Sequence, residues 1–350
     1  MTDYWRHIPS SLDRELLRDG KAFRYFGGTA YLGIPQHEGF RALYIEGLRR
    51  YGLNNGTSRN NNVQLGIYDA AERIAAERFG AEAALMTSSG WLAAQLLVGA
   101  LSRTAAVRYA PNTHPALWGT EAPDSSGDFE TWARKLPDEI NTSDQKNWII
   151  LSNALNNLFP ELYDFSFLHD IDPQKRVLLV VDDSHGIGLS HGGRGIFASL
   201  PVSKAIRPIV VSSLAKAPGI DAGLVLGDAA MINELKQLPA FLGASPPAAA
   251  GLYAFMAGGD IYAAEREKLL RHTAAVAAAL QGNAGWRFTP GFPVFLRRHG
   301  LISEALEARG ILISAFPYPD KAGAPLERLV LSSWHRDSDI QELILALSQI

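Results

Sequence analysis

The stretch Val177-Leu178-Leu179-Val180-Val181-Asp182-Asp183-Ser184-His185-Gly186 is the part of this chain that best indicates its fold. Its continuous apolar run predicts a strand that is buried on both faces, as strands of parallel sheets are. The strand ends in two carboxylates and a histidine, and ligands of open α/β sheets bind at the carboxyl ends of strands. Taken alone, two adjacent aspartates fit a solvated loop equally well. The stretch therefore predicts a parallel sheet with a candidate site at its edge.

The rest of the chain alternates short apolar runs with helical patterns. Helices are predicted at 62–79, 91–101, 261–281 and 338–347. Further strands are predicted at 83–86, 105–109, 148–151, 208–212, 222–226, 294–297, 311–313 and 329–332. This alternation predicts the fold class α/β, with a mainly parallel sheet that carries helices on both faces.

The pattern changes after Gly258, where one long helix is followed by shorter strands. This change predicts a second, smaller α+β domain. We therefore predict an N-terminal segment at 1–36 that packs with the small domain, a large domain at 37–258 and a small C-terminal domain at 259–350.

The composition limits the classes of function. The chain has no cysteine, which excludes disulfides, thiolate metal sites and a cysteine nucleophile. A net charge of -3 does not indicate a nucleic-acid partner or an anionic membrane surface. The N-terminus lacks the apolar segment of a signal peptide, and no apolar run is long enough to span a membrane. We expect a cytoplasmic protein with neither nucleic acid nor membrane as partner.

A lysine follows the strand predicted at 208–212, in the segment Ser213-Leu214-Ala215-Lys216-Ala217-Pro218-Gly219. Burial lowers the pKa of a lysine and makes its amine a nucleophile. A lysine whose ammonium group reaches solvent from a loop fits the sequence as well.

Two more short motifs follow predicted strands. Thr87-Ser88-Ser89-Gly90-Trp91 leads into a helix, whose free amides and positive dipole end are suited to a phosphate. An ordinary serine N-cap explains the same residues. His114, in Asn112-Thr113-His114-Pro115, is placed either to stack on an aromatic ring or to lie at the surface.

In this order, the motifs resemble those of fold-type I enzymes, which depend on pyridoxal 5'-phosphate (PLP) and belong to the aminotransferase class I/II superfamily. The chain is most similar to the α-oxoamine synthase family, which includes 8-amino-7-oxononanoate synthase and 2-amino-3-ketobutyrate CoA ligase. Asp182-x-x-His185 paired with Lys216 is the most specific motif. The likeness runs from about Tyr31 to the C-terminus, with weaker matches at Tyr31-Leu32-Gly33, Gly186-Ile187-Gly188, Gly193-Arg194-Gly195 and Pro246-Pro247.

The resemblance implies roles for the groups around the cofactor ring. Lys216 would hold PLP as a Schiff base and move the Cα proton of the substrate. Asp182 would pair with the pyridine nitrogen and keep it protonated. His185, with Asn153, would hydrogen-bond the phenolic oxygen, and His114 would stack on the ring face.

The resemblance also implies how the charged ends of cofactor and substrate are held. Ser89, the amides of Gly90 and Trp91, and the hydroxyl of Ser213 would bind the phosphate. Arg328 would bind the carboxylate of an amino acid, a role suited to a guanidinium. A surface charge on a strand explains Arg328 equally well.

Several segments depart from the family pattern. A Gly/Ser-rich segment is replaced by the polar residues of Asn54–Asn62, and the family's Glu and Ser are replaced by Asn153 and Asn157. A hydroxyl before the Pro-Pro pair is displaced in Gly243-Ala244-Ser245, and the N-terminal arm is short for the family. These departures concern the reaction more than the cofactor.

Several functions therefore stay open. The first is condensation of an amino acid with an acyl thioester, such as an acyl-CoA. The second is transamination or an aldolase-like cleavage on the same fold, and the third is a PLP-binding protein without activity. Dinucleotide binding at Gly186-x-Gly188, where His191 takes the place of the third glycine, and a metal site at His185 and His191 with Asp182 or Asp183 are weaker alternatives. By analogy with fold-type I enzymes we expect a homodimer.

Overall fold

The computed structural model describes residues 3–101, 104–119, 121–124, 126–156, 160–317 and 323–350. Its strands are β1 Glu15–Arg18, β2 Lys21–Phe26, β3 Ala83–Thr87, β4 Ala106–Tyr109, β5 Asn147–Asn153, β6 Arg176–Asp182, β7 Ile206–Ser213, β8 Gly223–Gly227, β9 Trp286–Phe288, β10 Val294–Arg297, β11 Ile311–Pro317 and β12 Pro325–Val330. Its α-helices are α1 Glu38–Tyr51, α2 Ile67–Phe79, α3 Gly90–Ala100, α4 Phe129–Thr142, α5 Ala229–Lys236, α6 Pro239–Leu242, α7 Ala249–Ala257, α8 Gly259–Leu280, α9 Ser303–Glu307 and α10 Asp337–Ser348.

The chain divides into two compact units. The larger comprises Gly39–Asn157 and Leu162–Gly259. The smaller comprises Met1–Glu38, Leu158–Glu161 and Asp260–Ile350. The boundaries predicted from the sequence are 36/37 and 258/259. We also predict that the large domain, at 37–258, is the one that binds PLP, and this assignment stays a prediction.

The large unit is built on a six-stranded sheet in the order β3-β8-β7-β6-β5-β4. Strands β4, β5, β6 and β7 run parallel to one another. Strand β8 lies between β7 and β3 and is antiparallel to both. Leu179, Val180 and Val181 are fully buried, although successive side chains of a strand point to opposite faces. Both faces of the sheet are therefore covered, and the predicted α/β fold class with a mainly parallel sheet is confirmed.

The small unit contains a second sheet, in the order β1-β2-β11-β12-β10-β9. Its first two strands form a hairpin that turns at Asp19 and Gly20, both of which have positive φ angles, of 51° and 76°. Strand β2 pairs in parallel with β11, so that Arg24 lies opposite Ile311. The N-terminal segment is thus part of this sheet.

Some element limits differ from the predicted ones. Helix α2 begins at Ile67 rather than at residue 62, because local side-chain bonds of Asn61 and Gln64 hold the preceding residues in turns. Strand β12 covers Pro325–Val330, earlier than the predicted 329–332. No helix among the described residues is long and apolar enough to cross a membrane.

Candidate active site

Four of the predicted site residues lie at one edge of the large sheet. Asn153 and Asp182 end strands β5 and β6 and are paired across the ladder. His114 follows β4 and Lys216 follows β7. Because β4 to β7 are parallel, all four lie at the carboxyl ends of the strands, which is where open α/β sheets bind ligands.

Lys216 lies in a desolvated environment beside two carboxylates. Part of the residue reaches solvent, but burial lowers the pKa of its amine from 10.5 to about 8. The negative charges of Asp182 and Asp183 act in the opposite direction and do not outweigh the burial. Near neutral pH a measurable fraction of this amine is therefore uncharged, as a nucleophile requires.

His114 is held in a defined orientation. Its Nδ1 accepts a hydrogen bond from the backbone N–H of Ala116 at 3.1 Å, and the backbone N–H of His114 donates to Asn153 Oδ1 at 3.0 Å. Burial lowers the pKa of the imidazole; the negative charge of Asp182 opposes this effect, whereas the positive charge of Lys216 acts in the same direction. An acceptor at Nδ1 requires the neutral tautomer that carries its proton on Nε2. The ring is therefore neutral and lies within electrostatic reach of the carboxylate and the amine.

Asn153, at the end of β5, helps to hold His114 in this orientation. The residue is 1% exposed, and its Nδ2 donates to the carbonyl of Asn112 at 2.7 Å. Asn112 has a φ of 57°, which an asparagine tolerates better than most residues. Asn153 thus fixes the loop that carries His114, a contact that the sequence does not reveal.

Asp182 and His185 are both half-buried. Asp182 Oδ1 accepts the N–H of Ser184 at 2.8 Å. After β6 the chain enters a turn-rich loop that reaches a short 3-10 helix at His191–Gly193, and not the α-helix of a dinucleotide-binding motif. Within the ranges that the structure describes, no group of three or more His, Asp or Glu side chains could hold a metal ion.

The start of helix α3 approaches the end of β7 closely. A Cβ at Gly90 would lie 2.5 Å from Ser213 Cβ, so only glycine allows this approach. Ser89 is the N-cap, and its hydroxyl accepts the N–H of Leu92 at 3.1 Å. The amides of Gly90 and Trp91 belong to the first turn and have no partner within the helix. The start of α3 and Ser213 therefore lie side by side, and their binding of the phosphate stays a prediction.

Ser184 links this surface to the Asp182 loop, and sequence reasoning missed it. Its Oγ accepts the N–H of Ser213 at 2.8 Å. The ends of β6 and β7 are thereby joined beside the lysine turn. A serine in Asp182-x-x-His185 carries no signal of its own, because its partner is defined only by the packing of neighbouring strands.

Arg328 lies in the small unit, on β12, opposite Ser314 of β11. Burial raises the pKa of the Tyr31 phenol, and the positive charge of Arg328 opposes this rise. The guanidinium also lies 5.7 Å from the centre of the Phe316 ring. Arg328 is therefore close to Tyr31, another residue of the family motif, while the other predicted site residues belong to the large unit.

Of the segments that depart from the family pattern, Asn54–Asn62 and Gly243-Ala244-Ser245 lie within the described residues. Asn157 lies outside the described residues. Residues of the Asn54–Asn62 segment line a cavity of about 470 Å³ together with Ser245, Pro246 and Pro247. A larger cavity, of about 1010 Å³, lies at the amino ends of β5, β6 and β7 and is lined by none of the predicted site residues. The chemistry that we predict is thus separate from this larger cavity.

The residues at the sheet edge fit PLP. They offer an amine with a lowered pKa, a half-buried carboxylate, a neutral imidazole and the amide-rich start of α3. In the same order, these groups suit the aldehyde, the pyridine nitrogen, the aromatic ring and the phosphate of PLP. The fit concerns the chemistry of these groups, while the role of each residue stays a prediction.

Known proteins resemble the chain over nearly its whole length. It is 26% identical to the 8-amino-7-oxononanoate synthase of Nitrosococcus oceani, over 99% of this chain and 96% of the relative. Its fold matches the serine palmitoyltransferase of Sphingomonas wittichii with a TM-score of 0.81 at 15% identity, covering 98% of this chain and 91% of that one. It also matches a structure of SPT with PLP with a TM-score of 0.80 at 14% identity, with the same coverage.

The family relationship rests on a sequence model described as aminotransferase class I and II, which matches residues 47–346. The matched range includes all ten residues to which the resemblance assigned a role. The chain therefore belongs to the aminotransferase class I and II family, as predicted, and is a PLP-dependent transferase.

Proposed function

We propose that this protein condenses an amino acid with an acyl thioester, using PLP that is bound covalently to Lys216. The observation that carries the proposal is the desolvated amine of Lys216, which lies beside Asp182 and His114 at the carboxyl edge of the sheet. When bound, PLP supplies an electron sink that stabilises a carbanion at the substrate Cα. The name of the Nitrosococcus oceani relative, 8-amino-7-oxononanoate synthase, supports the same reaction class.

Three side chains of the chain would act around the ring. Lys216 binds the cofactor through its uncharged amine and then accepts or returns the proton of the substrate Cα. Asp182 keeps the pyridine nitrogen protonated, because a carboxylate stabilises the positive charge there. His114 presents a neutral ring that stacks on the cofactor without adding a second positive charge.

The remaining residues would orient the cofactor and the substrate. The amides of Gly90 and Trp91 and the hydroxyl groups of Ser89 and Ser213 hold the phosphate at the start of α3. His185 donates to the phenolic oxygen. Arg328 binds the substrate carboxylate through its guanidinium. The amino acid and the acyl donor, acyl-CoA among the candidates, are the expected small-molecule partners.

We further propose a cytoplasmic homodimer. Leu53 is 83%, Val63 71% and Trp91 57% exposed, although all three are large apolar side chains. Leu53 borders the Asn54–Asn62 segment, and Trp91 lies in the proposed phosphate site. A second copy that covers these side chains would remove them from water. Light scattering of the purified protein at several concentrations tests this state.

Asn153 favours a second candidate, transamination. The α-oxoamine synthase family carries a glutamate at this position, whereas aminotransferases of this fold have an asparagine that hydrogen-bonds the phenolic oxygen of PLP. In this chain Asn153 lies next to Asp182 across the ladder. Formation of a keto acid from an amino acid, without a thioester, would favour this candidate over the condensation.

The test combines reduction and substrate turnover. Borohydride treatment of the coloured protein followed by peptide mapping should place the pyridoxyl group on Lys216. A panel of amino acids should then change the visible spectrum, and one amino acid with an acyl-CoA should release free CoA thiol. A protein that stays colourless with PLP would overturn the proposal. A spectral response to amino acids without thiol release would favour transamination over the condensation.

A further inference from the structure

Asp183 is a buried acid to which the proposed mechanism gives no role. The residue is 1% exposed, and its Oδ1 has no hydrogen-bond partner within the described part of the chain. Burial raises the pKa of its carboxyl group to about 7, and the charge of Asp182 acts in the same direction. A buried acid with an unpartnered oxygen is unfavourable by itself, so the fold must gain elsewhere from its presence.

The second carboxyl oxygen holds a loop closed. Asp183 Oδ2 accepts the N–H of Ile196 at 2.8 Å. The Asp183 carbonyl accepts the N–H groups of Gly186 at 3.1 Å and Ile187 at 3.0 Å. One residue therefore binds both the beginning and the end of the loop that carries His185.

Two glycines make room for this carboxyl group. A Cβ at Gly186 would overlap with Asp183 Oδ1, and a Cβ at Gly195 would overlap with Asp183 Oδ2. Gly195 also has a φ of 70°, so any substitution there strains the backbone. The φ of Gly186 is not in the left-handed region, so alanine at this position acts through steric overlap, chiefly with the Asp183 carboxyl group and also with Ser190 Oγ, which a Cβ would approach to 2.9 Å.

Asp183 is also joined to the strand that leads to the lysine. Its N–H donates to the carbonyl of Val211 at 2.9 Å. The hydroxyl of Ser212 lies 3.5 Å from the Asp183 carbonyl oxygen. Asp183 therefore follows Asp182 directly in the chain and is hydrogen-bonded both to the loop that carries His185 and to β7.

We propose that Asp183 is a positioning residue, whose carboxyl group holds the loop after β6 closed and thereby fixes Asp182 and His185 for contact with the cofactor ring. The proposal rests on the proposed function. The two neighbouring aspartates then have different roles, since Asp182 meets the cofactor and Asp183 acts only through the loop.

The test measures PLP affinity by fluorescence titration and follows the visible spectrum with pH. Asp183→Ala removes the loop contact and should weaken PLP binding by about tenfold, as expected when a hydrogen bond that orders a site is lost. Asp183→Asn keeps an oxygen for the Ile196 N–H and should stay within about threefold of the wild type. Gly186→Ala displaces the carboxyl group without removing it and should resemble Asp183→Ala, which keeps the test open if Asp183→Ala does not fold.

A matched control is Asp339→Ala. Asp339 is also 1% exposed, but it lies in the small unit, where it binds Arg14 and Arg24. This variant should lower the melting temperature and leave PLP affinity and the pH profile of the spectrum unchanged.

Three outcomes are informative. Wild-type affinity in both Asp183→Ala and Gly186→Ala would overturn the positioning role while the proposed function stands. An equal loss in Asp183→Asn and Asp183→Ala would overturn it too, because the charge and not the loop contact would then matter. A wild-type protein that binds no PLP would overturn the proposed function, and the positioning role with it.

Discussion

Two groups of buried charges in the large unit differ in how fully their charges are neutralised. In the first, the side chains of Arg59 and Glu72 are 9% and 4% exposed, and Arg59 Nη1 lies 3.0 Å from Glu72 Oε1. Lys236 Nζ lies 2.6 Å from Glu72 Oε2, and the Met86 N–H donates to Oε1 at 3.1 Å. Each carboxylate oxygen therefore has a cationic partner.

The second group consists of Lys216, Asp182 and Asp183. Here desolvation outweighs attraction, because the pKa of Lys216 is lowered to about 8 while that of Asp183 is raised to about 7. The Lys216 amine and the Asp183 carboxyl group are thus both shifted towards their uncharged forms. Fully paired charges are typical of a structural cluster, whereas shifted pKa values are frequent in functional sites, both in reacting groups, as we propose for Lys216, and in positioning groups, as we propose for Asp183. The Glu72 cluster therefore fits a structural role, and the Lys216 cluster fits the functional role that we propose for it.

The largest expected effect comes from removing the amine. Lys216→Ala should lower the condensation rate by at least about 10³-fold, because the covalent attachment and the proton acceptor are both lost. The unfolding free energy of the protein without PLP should not fall, because a desolvated amine is removed. Urea unfolding and a thiol-release assay measure the two quantities.

Lys236→Ala is the matched control for this lysine. It should lower the unfolding free energy by about 1 kcal/mol, since Glu72 loses a partner, and should leave the borohydride-trapped site on Lys216. If Lys216→Ala destabilised the apo-protein more than Lys236→Ala did, the distinction between the two clusters would fail.

The next largest effect is expected at the centre of the paired cluster. Glu72→Gln removes the counter-charge of Lys236 and leaves Arg59 with only the exposed Asp69, so it should lower the unfolding free energy by about 3 kcal/mol. The position of the visible band with PLP should not change, because Glu72 has no part in the cofactor site. A loss below about 0.5 kcal/mol would show that these ion pairs contribute as little as exposed ones do.

A smaller effect is expected at the start of α3. Gly90→Ala places a methyl group against Ser213 and should weaken PLP binding by about tenfold, since the amides at the helix start move relative to the phosphate. Gly99→Ala is the control in the same helix, where a Cβ would have no neighbour within 4 Å. It should stabilise the protein by up to about 1 kcal/mol and leave PLP affinity within twofold. Equal affinities in the two variants would argue against a phosphate site at this helix start.

The smallest change concerns pH alone. PLP uptake by the apo-protein needs the uncharged amine, whose fraction rises with pH and reaches one half near the lowered pKa of Lys216, about 8. The uptake rate should therefore rise about tenfold per pH unit below pH 8 and level off above it. Stopped-flow absorbance measures this rate. A rate that still rises at pH 10 would show that the lysine has its ordinary pKa of 10.5.

Much of the fold could be predicted because its signals are local. The apolar run before Asp182 identifies a buried strand, and the parallel order places Asn153, Asp182 and Lys216 at one edge. The hairpin of β1 and β2 was not predicted, because Glu15–Arg18 and Lys21–Phe26 are short and charged. Strand β2 pairs with β11, almost 300 residues later, and β1 pairs with β2, and no local pattern reports the long-range pairing.

The candidate site divides in the same way. By itself the sequence determined the fold class, the order of the motifs and the family, because these depend on residue types and on their spacing along single strands. Only the tertiary structure decided that Asp183 is buried while Asp182 is half exposed, that the amine of Lys216 is desolvated, and that Glu72 is neutralised by cations from two other segments. Burial and pairing are properties of the assembled sheet and its packing, since they depend on which distant residues exclude water from a side chain.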